Sequence, residues 1–372
     1  GSEAEGNERG DVFAALAAAC SALCFAFSEH FWSQCLNAKG GLYTLNILIA
    51  AMMLWLIVRN KSMSRLYALA FVFGLGLANH HTIAGLGAVL AVYIFLTDKN
   101  SRDAAVLGKM LCLTALGCLL YLYLPLRASQ GPPLNVGNTV TLDRMLTHIN
   151  RSYYGSLAAY PRSAELFAKQ MSAYGLSLFK QFGPVLLLSL FGFWHLAKRS
   201  WKYCVLISVI FLVYGAGLYV LLNVYPSPIF VYLMNNFSLP SFMAAALWAG
   251  FGAAKLLELP KKYSLTGFAA LGLAVIIPLA ANFKANDQSW NYSSEEYGMN
   301  IINTPERNSI LLLSGDTEQA VMSYLKYAEN VRPDLDIYDN YGWYFKRIVP
   351  EKYWADNTNE MKRQIILAQM QT

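Results

Sequence analysis

The sequence predicts an all-α polytopic membrane protein followed by the start of a soluble α/β segment. Three observations predict it. Of 372 residues, 56% are hydrophobic and only 14% are charged, against about 25% charged in ordinary soluble domains. Long apolar runs recur from the beginning of the chain to about residue 282. Beyond that point charges return and the apolar pattern shortens to strand and helix lengths.

The apolar runs cover residues 12–28, 42–58, 66–79, 82–96, 104–126, 183–197, 203–223, 237–254 and 264–282. A crossing helix needs about 20 mostly apolar residues, fewer where flanking groups snorkel, which gives about nine candidate spans. The runs 66–79 and 82–96 are short and separated by His80-His81, so they form a tight hairpin. Arg59, Lys61 and Arg65, then Lys99, Arg102 and Lys109, then Lys198, Arg199 and Lys202, then Lys255, Lys261 and Lys262 cluster on alternate connections. The positive-inside rule makes these connections cytoplasmic. The net charge of +6 is thereby used in setting topology, which argues against a nucleic-acid partner. Nearly all of the six cysteines fall in apolar runs and read as small hydrophobes.

Two domains follow: 1–282, transmembrane, with an extracytoplasmic loop at 127–182, and 283–372, an extracytoplasmic soluble segment. In the second, Ser309–Ser314 reads as a buried strand, Gly315-Asp316 opens a helix running to about Glu329, and Leu335–Tyr338 reads as a second strand. The chain begins without Met and ends just after this start. It is expected to be a piece of a longer protein at both ends.

The stretch Tyr121–Gly155 concentrates the candidate chemistry. Pro132, Pro133, Gly137 and Asn138 bar regular structure. Thr141 then reads as an N-cap, with Leu142, Met145, Leu146 and Ile149 at helical spacing, an amphipathic helix on the membrane surface. Arg127, at the end of an apolar run and before a rigid segment, is read as a charge-assisted grip on a phosphate, or else as an interfacial anchor. Arg151, His80 and His81 are assigned to the same phosphate, and Asn138, His148, Tyr154 and Asn235 to the rest of the substrate. His80-His81 also reads as a polar turn. No carboxylate stands near it in sequence, so no metal ligands are assigned, and no ligand set decides whether a divalent cation takes part. Glu29 is a weak candidate for a general base. The spans hold almost no internal charge and show no internal repeat, unlike ion-coupled transporters.

The run YLYLPLRAS–PPLNVGN–TL–R–L–H–R–YYG resembles a family of multi-spanning bacterial membrane proteins whose animal relative is an endoplasmic-reticulum protein O-mannosyltransferase. FWSQ at Phe31–Gln34, YTLN at Tyr43–Asn46, the run Gly74–Thr82, LPSF at Leu239–Phe242 and the NSILLLSGDTEQ segment extend the resemblance over most of the chain. It implies a GT-C-like, inverting glycosyltransferase in a bacterial inner membrane. Such an enzyme moves a sugar from a polyprenyl-phosphate donor to a protein or envelope acceptor outside the cytoplasm. Mannose is the sugar of the animal relative. The family's acidic Asp-x-Gly-Glu loop is not present, so the resemblance implies a catalytic base outside this chain. Val136 stands where the family often has Trp, and Asn235-Asn236 where an Arg often stands. The missing acidic loop leaves a rival reading, a non-catalytic protein that binds or moves a lipid-linked sugar or scaffolds the envelope.

Overall fold

A computed structural model describes residues 2–37, 41–59, 62–150, 160–259, 264–339, 342 and 344–347. It divides the chain into a helical unit, Gly1–Leu120 with Ser156–Asp287, and a mixed unit, Tyr121–Gly155 with Gln288–Thr372.

The helical unit contains α1 Ser2–Ala26, α2 Glu29–Leu36, α3 Gly41–Val58, α4 Met63–Asn79, α5 Ile83–Thr97 and α6 Ala104–Cys118. In the mixed unit, α7 is Tyr123–Ala128 and α8 is Leu142–Ile149. The helical unit resumes with α9 Ala164–Phe182, α10 Val185–Arg199, α11 Trp201–Leu212, α12 Leu218–Leu222, α13 Pro228–Leu257 and α14 Ser264–Asn286.

Each of the nine apolar runs falls on a helix of the described residues, but the count of crossing helices differs from nine. Among the described residues five helices are long and apolar enough to cross a membrane: Gly41–Val58, Ala104–Ala128, Trp201–Leu222, Pro228–Leu257 and Leu265–Asn286. Counting two bent pairs as one span each raises the number to seven. The α4 and α5 helices are short for a span, at 17 and 15 residues. The run at 12–28 bends by 68° into α2, and α9 bends by 100° into α10. The described residues of the loop assigned to 127–182 hold two further helices, α8 and α9. Of these, α8 sits where the apolar spacing put it, with the Thr141 hydroxyl accepting from the Arg144 N–H at 3.4 Å. The other, α9, escaped the apolar scan because it interleaves Lys169, Gln170, Lys180 and Gln181 with its apolar residues.

Helix α13 is the axis of the helical unit, buried along most of its length. In lipid, apolar side chains gain little by leaving the bilayer for a neighbouring helix, so close packing and polar contacts hold helices together. Small residues allow that packing here. A Cβ at Gly192 of α10 would fall 1.7 Å from the Trp248 carbonyl oxygen of α13, and one at Gly252 would fall 2.4 Å from that of Leu188. The same device joins α4 to α6, where a Cβ at Gly74 would fall 2.2 Å from the Thr114 oxygen.

The mixed unit carries α15 Ser293–Asn303, β1 Ile310–Leu313, α16 Asp316–Tyr327, β2 Asp336–Asp339 and β3 Lys346–Arg347. The strands are parallel in the order β1-β2-β3, with Leu311 opposite Ile337. A parallel pair needs a crossover, and α16 supplies it. Ile302, Leu313, Met322, Leu325, Leu335, Ile337 and Phe345 form its core. Arg332 latches the entry to β2. Its Nη1 donates to the carbonyls of Ile302 at 3.1 Å and Pro305 at 3.2 Å, and its Nε and Nη2 grip Asp334 at 2.9 and 3.0 Å.

Candidate functional site

One end of the helical unit gathers uncharged polar side chains between apolar helices. The gathering begins with the α4–α5 hairpin. Helix α4 stops at His80, whose extended backbone (φ −155°, ψ 129°) turns the chain. Thr82 then organises the turn: its Oγ1 lies 2.7 Å from His80 Nδ1 and accepts from Asn46 Nδ2 at 3.2 Å. The Tyr214 hydroxyl donates to the Thr82 carbonyl at 2.6 Å and accepts from the Leu86 N–H at 2.7 Å. Tyr214 is aimed there by a π-turn at Val213–Gly217, where Gly215 (φ −94°, ψ −109°) breaks the helix. Such single π-turns often mark functional positions. His80 is buried with its ring centroid 5.3 Å from that of Tyr43 and 6.0 Å from that of Phe237. His81 is exposed, its ring centroid 4.5 Å from that of His80.

The second cluster lies on α2, α9, α13 and α14. His30 Nε2 is 2.6 Å from Asn236 Oδ1, and the His30 backbone N–H donates to Gln181 Oε1 at 2.8 Å. Gln34 Nε2 donates to the Tyr232 hydroxyl at 3.0 Å. Asn282 Nδ2 donates to the Phe27 carbonyl at 2.9 Å. Phe237 on α13 follows Asn236 directly, so one helix carries groups of both clusters. Beside them Asn235 Oδ1 is buried and has no hydrogen-bond partner among the described residues. A buried acceptor left unpaired costs about 1–3 kcal/mol, a cost that a ligand donor would remove. Glu29, half-buried in the first turn of α2, makes no ion pair among the described residues.

Of the residues singled out in the sequence, His80, His81, Asn235 and Glu29 thus lie on the elements that form this end of the helical unit. Arg127, Asn138 and His148 belong to the mixed unit. Arg127 is exposed in the last turn of α7, its Nη1 donating to Gln130 Oε1 at 2.8 Å. Asn138 is exposed in a turn at positive φ (39°), its N–H donating to the Asn135 carbonyl at 3.1 Å. His148 is half-buried in the last turn of α8. Arg151 and Tyr154 lie outside the described residues. Sequence reasoning gave no role to His30, Gln181, Asn282 or Tyr214, and met Gln34 and Asn236 only inside the FWSQ and Asn235-Asn236 stretches. The available signal was the recurrence of amides inside otherwise apolar helices. Among the described residues no three His, Cys, Asp or Glu side chains cluster tightly enough to hold a metal ion.

Comparison with known proteins gives these residues a relation. Residues 2–103 match the family model for the protein O-mannosyl-transferase TMEM260 N-terminal domain. The protein O-mannosyl-transferase tmem260 of Dictyostelium discoideum is 27% identical over 370 residues, which is 85% of this chain and 44% of the relative. The protein O-mannosyl-transferase TMEM260 of Mus musculus is 26% identical over 356 residues, 87% of this chain and 50% of the relative. The chain therefore spans about half the length of the curated relatives it matches. No solved structure matches it. On the family model and the two relatives together, the chain, with its several membrane-length apolar helices, is related to the TMEM260 protein O-mannosyl-transferases.

Proposed function

We propose that this protein is a membrane glycosyltransferase of the GT-C type that moves mannose from a polyprenyl-phosphate donor to a hydroxyl of a protein acceptor. One observation carries the reading: relatives named protein O-mannosyl-transferases align with most of the chain. The helical unit supports it. Its amide- and histidine-rich end offers neutral hydrogen-bonding groups of the kind a sugar takes, with the buried Asn235 oxygen unpaired among the described residues. Within this chain Glu29 is the candidate carboxylate on the same end for taking the acceptor's proton. His80 and His81 are assigned to the donor phosphate, and Arg127 is assigned to it on its own exposure and charge. Neutralising the charge that develops on a departing phosphate is often the largest single contribution to such a transfer. On this reading the basic helix ends face the cytoplasm and the polar end faces away from it.

The test is transfer of radiolabelled mannose from polyprenyl-phosphate mannose to a protein acceptor by membranes carrying this chain. Membranes carrying the Mus musculus relative serve as the positive control. Transfer above empty membranes supports the proposal. A folded chain that binds the donor without transferring sugar overturns it in favour of lipid-linked sugar binding.

A further inference from the structure

The opposite end of the helical unit holds a feature that sugar transfer does not use. Helix α4 runs from Arg65 near one end to His80 at the other, about 22 Å apart at the helical rise. At the Arg65 end lies a cavity of about 240 Å³ whose walls include Arg59, Arg65, Tyr93, Ser200, Lys202 and Tyr203. Three of these are cations, and no carboxylate is among the described residues that line the cavity.

Arg65 is 7% exposed. Its Nη2 pairs with Asp98, and its Nη1 donates to the carbonyls of Ile57 at 3.1 Å and Arg59 at 3.4 Å. Its Nε–H is buried and has no acceptor among the described residues. Lys202 has no ion-pair partner among them either. Helix α11 also begins at this wall. Its N-cap, Ser200, lines the cavity, and the Ser200 side chain makes no capping bond. The first amides of a helix are unsatisfied donors at the positive end of its dipole, which suits an anion. Arg65, two further cations and an uncapped helix start therefore surround one space. The surrounding side chains set its depth. Arg59 lies 4.6 Å over the Trp55 ring, Lys198 3.9 Å over Trp194 and Arg102 5.2 Å over Phe95, and all three rings are exposed. Paired cations and exposed aromatic rings are found at the headgroup level of a bilayer.

We propose that this cavity binds a phosphate oxyanion, supplied by an anionic phospholipid headgroup or by free phosphate, and held by Arg59, Lys202, Arg65 and the first amides of α11. The site is distinct from the polar end to which sugar transfer is assigned.

The test uses the whole chain in phosphatidylcholine nanodiscs. One arm measures retention of ³²P-labelled inorganic phosphate by equilibrium dialysis. The other adds phosphatidic acid and counts bound lipid by native mass spectrometry. Arg59→Ala/Lys202→Ala is compared with Arg102→Ala/Lys198→Ala, which removes the same charge outside the cavity. Both pairs are exposed, and each variant is used only if its melting temperature stays near that of the unaltered chain. The expected result is binding in at least one arm that falls tenfold or more in the cavity variant and is kept by the other. Binding of lipid alone identifies the headgroup as the source, and binding in both arms identifies phosphate itself. Absence of binding in both arms, or equal loss in the two variants, overturns the proposal.

Discussion

His30 Nε2 stands 2.6 Å from Asn236 Oδ1, joining α2 to α13, and both residues are buried. An amide oxygen only accepts, so this contact places the proton on Nε2. Removing one partner leaves the other buried and unpaired, at a cost of about 1–3 kcal/mol. His30→Ala and Asn236→Leu should each lower the thermal stability of the purified protein by that amount. His30→Ala with Asn236→Leu together should cost less than the sum. Additive losses in this cycle would show that the two side chains are not coupled.

Arg65 and Asp98 form a buried ion pair, 7% and 4% exposed at their side chains. Breaking such a pair from one side strands a charge and costs about 3–5 kcal/mol, whereas replacing both by apolar residues can be neutral. Asp98→Ala should therefore sharply reduce the yield of folded protein. Arg65→Met/Asp98→Leu should recover much of it, as read by size-exclusion chromatography in detergent. A double variant no better than Asp98→Ala would mean that the Arg65 bonds to the Ile57 and Arg59 carbonyls matter more than the pair.

Gly192→Ala should disrupt the α10–α13 crossing, because the added carbon meets a backbone carbonyl that cannot swing aside. Overpacking costs about 1–3 kcal/mol. Gly272→Ala on α14, where the added carbon meets nothing within 4 Å, is the control and should be neutral or slightly stabilising. Equal melting temperatures for the two variants would contradict the close approach.

How much of this was legible in the sequence follows from the range of each interaction. The α8 cap at Thr141 and the β1–α16–β2 order rest on neighbours in sequence, so local spacing was enough to find them. Arg65 was legible only as a topogenic charge, because its partner Asp98 is 33 positions away. His30 and Asn236, separated by 206 positions, could not be paired from a single sequence. Helix α9 was lost because its buried amides, Gln170 and Gln181, look polar to a hydropathy scan. Buried, they bond to Val224 and to the His30 N–H.

Arg127 is exposed and bonds only to its near neighbour Gln130 among the described residues, so Arg127→Ala leaves no buried group unpaired. If it binds the donor phosphate, mannose transfer should fall at least tenfold, while melting temperature and membrane insertion stay unchanged. Arg127→Lys should restore only part of the rate, because an ammonium lacks the two-pronged guanidinium geometry. Glu29→Gln should also reduce transfer at least tenfold if this carboxylate takes the acceptor's proton. Retention of more than a tenth of the rate by either single variant would remove that residue from the assignment.

In the mixed unit, Asp334 accepts from Arg332 Nε at 2.9 Å and from the Asn308 backbone N–H at 3.1 Å. The Arg332 hydrogen bonds, followed by the Asn308 amide, hold its carboxyl well below the usual carboxylate range. A group whose pKa is lower when folded contributes stability fully above its unfolded value, near 4 for Asp. That contribution is lost as pH falls through the depressed folded value. Acidification from pH 5 towards pH 2 should therefore loosen the connection into β2, lowering the protection of the Ile337 and Tyr338 amides from hydrogen exchange, measured against the intrinsic rate at each pH, as the pair with Arg332 is lost. Asp334→Asn keeps an acceptor but removes the titration. It should show weaker protection than the unaltered chain at pH 6 and a smaller change in protection on acidification. An equal pH response in the two proteins would assign the acid sensitivity to another carboxylate.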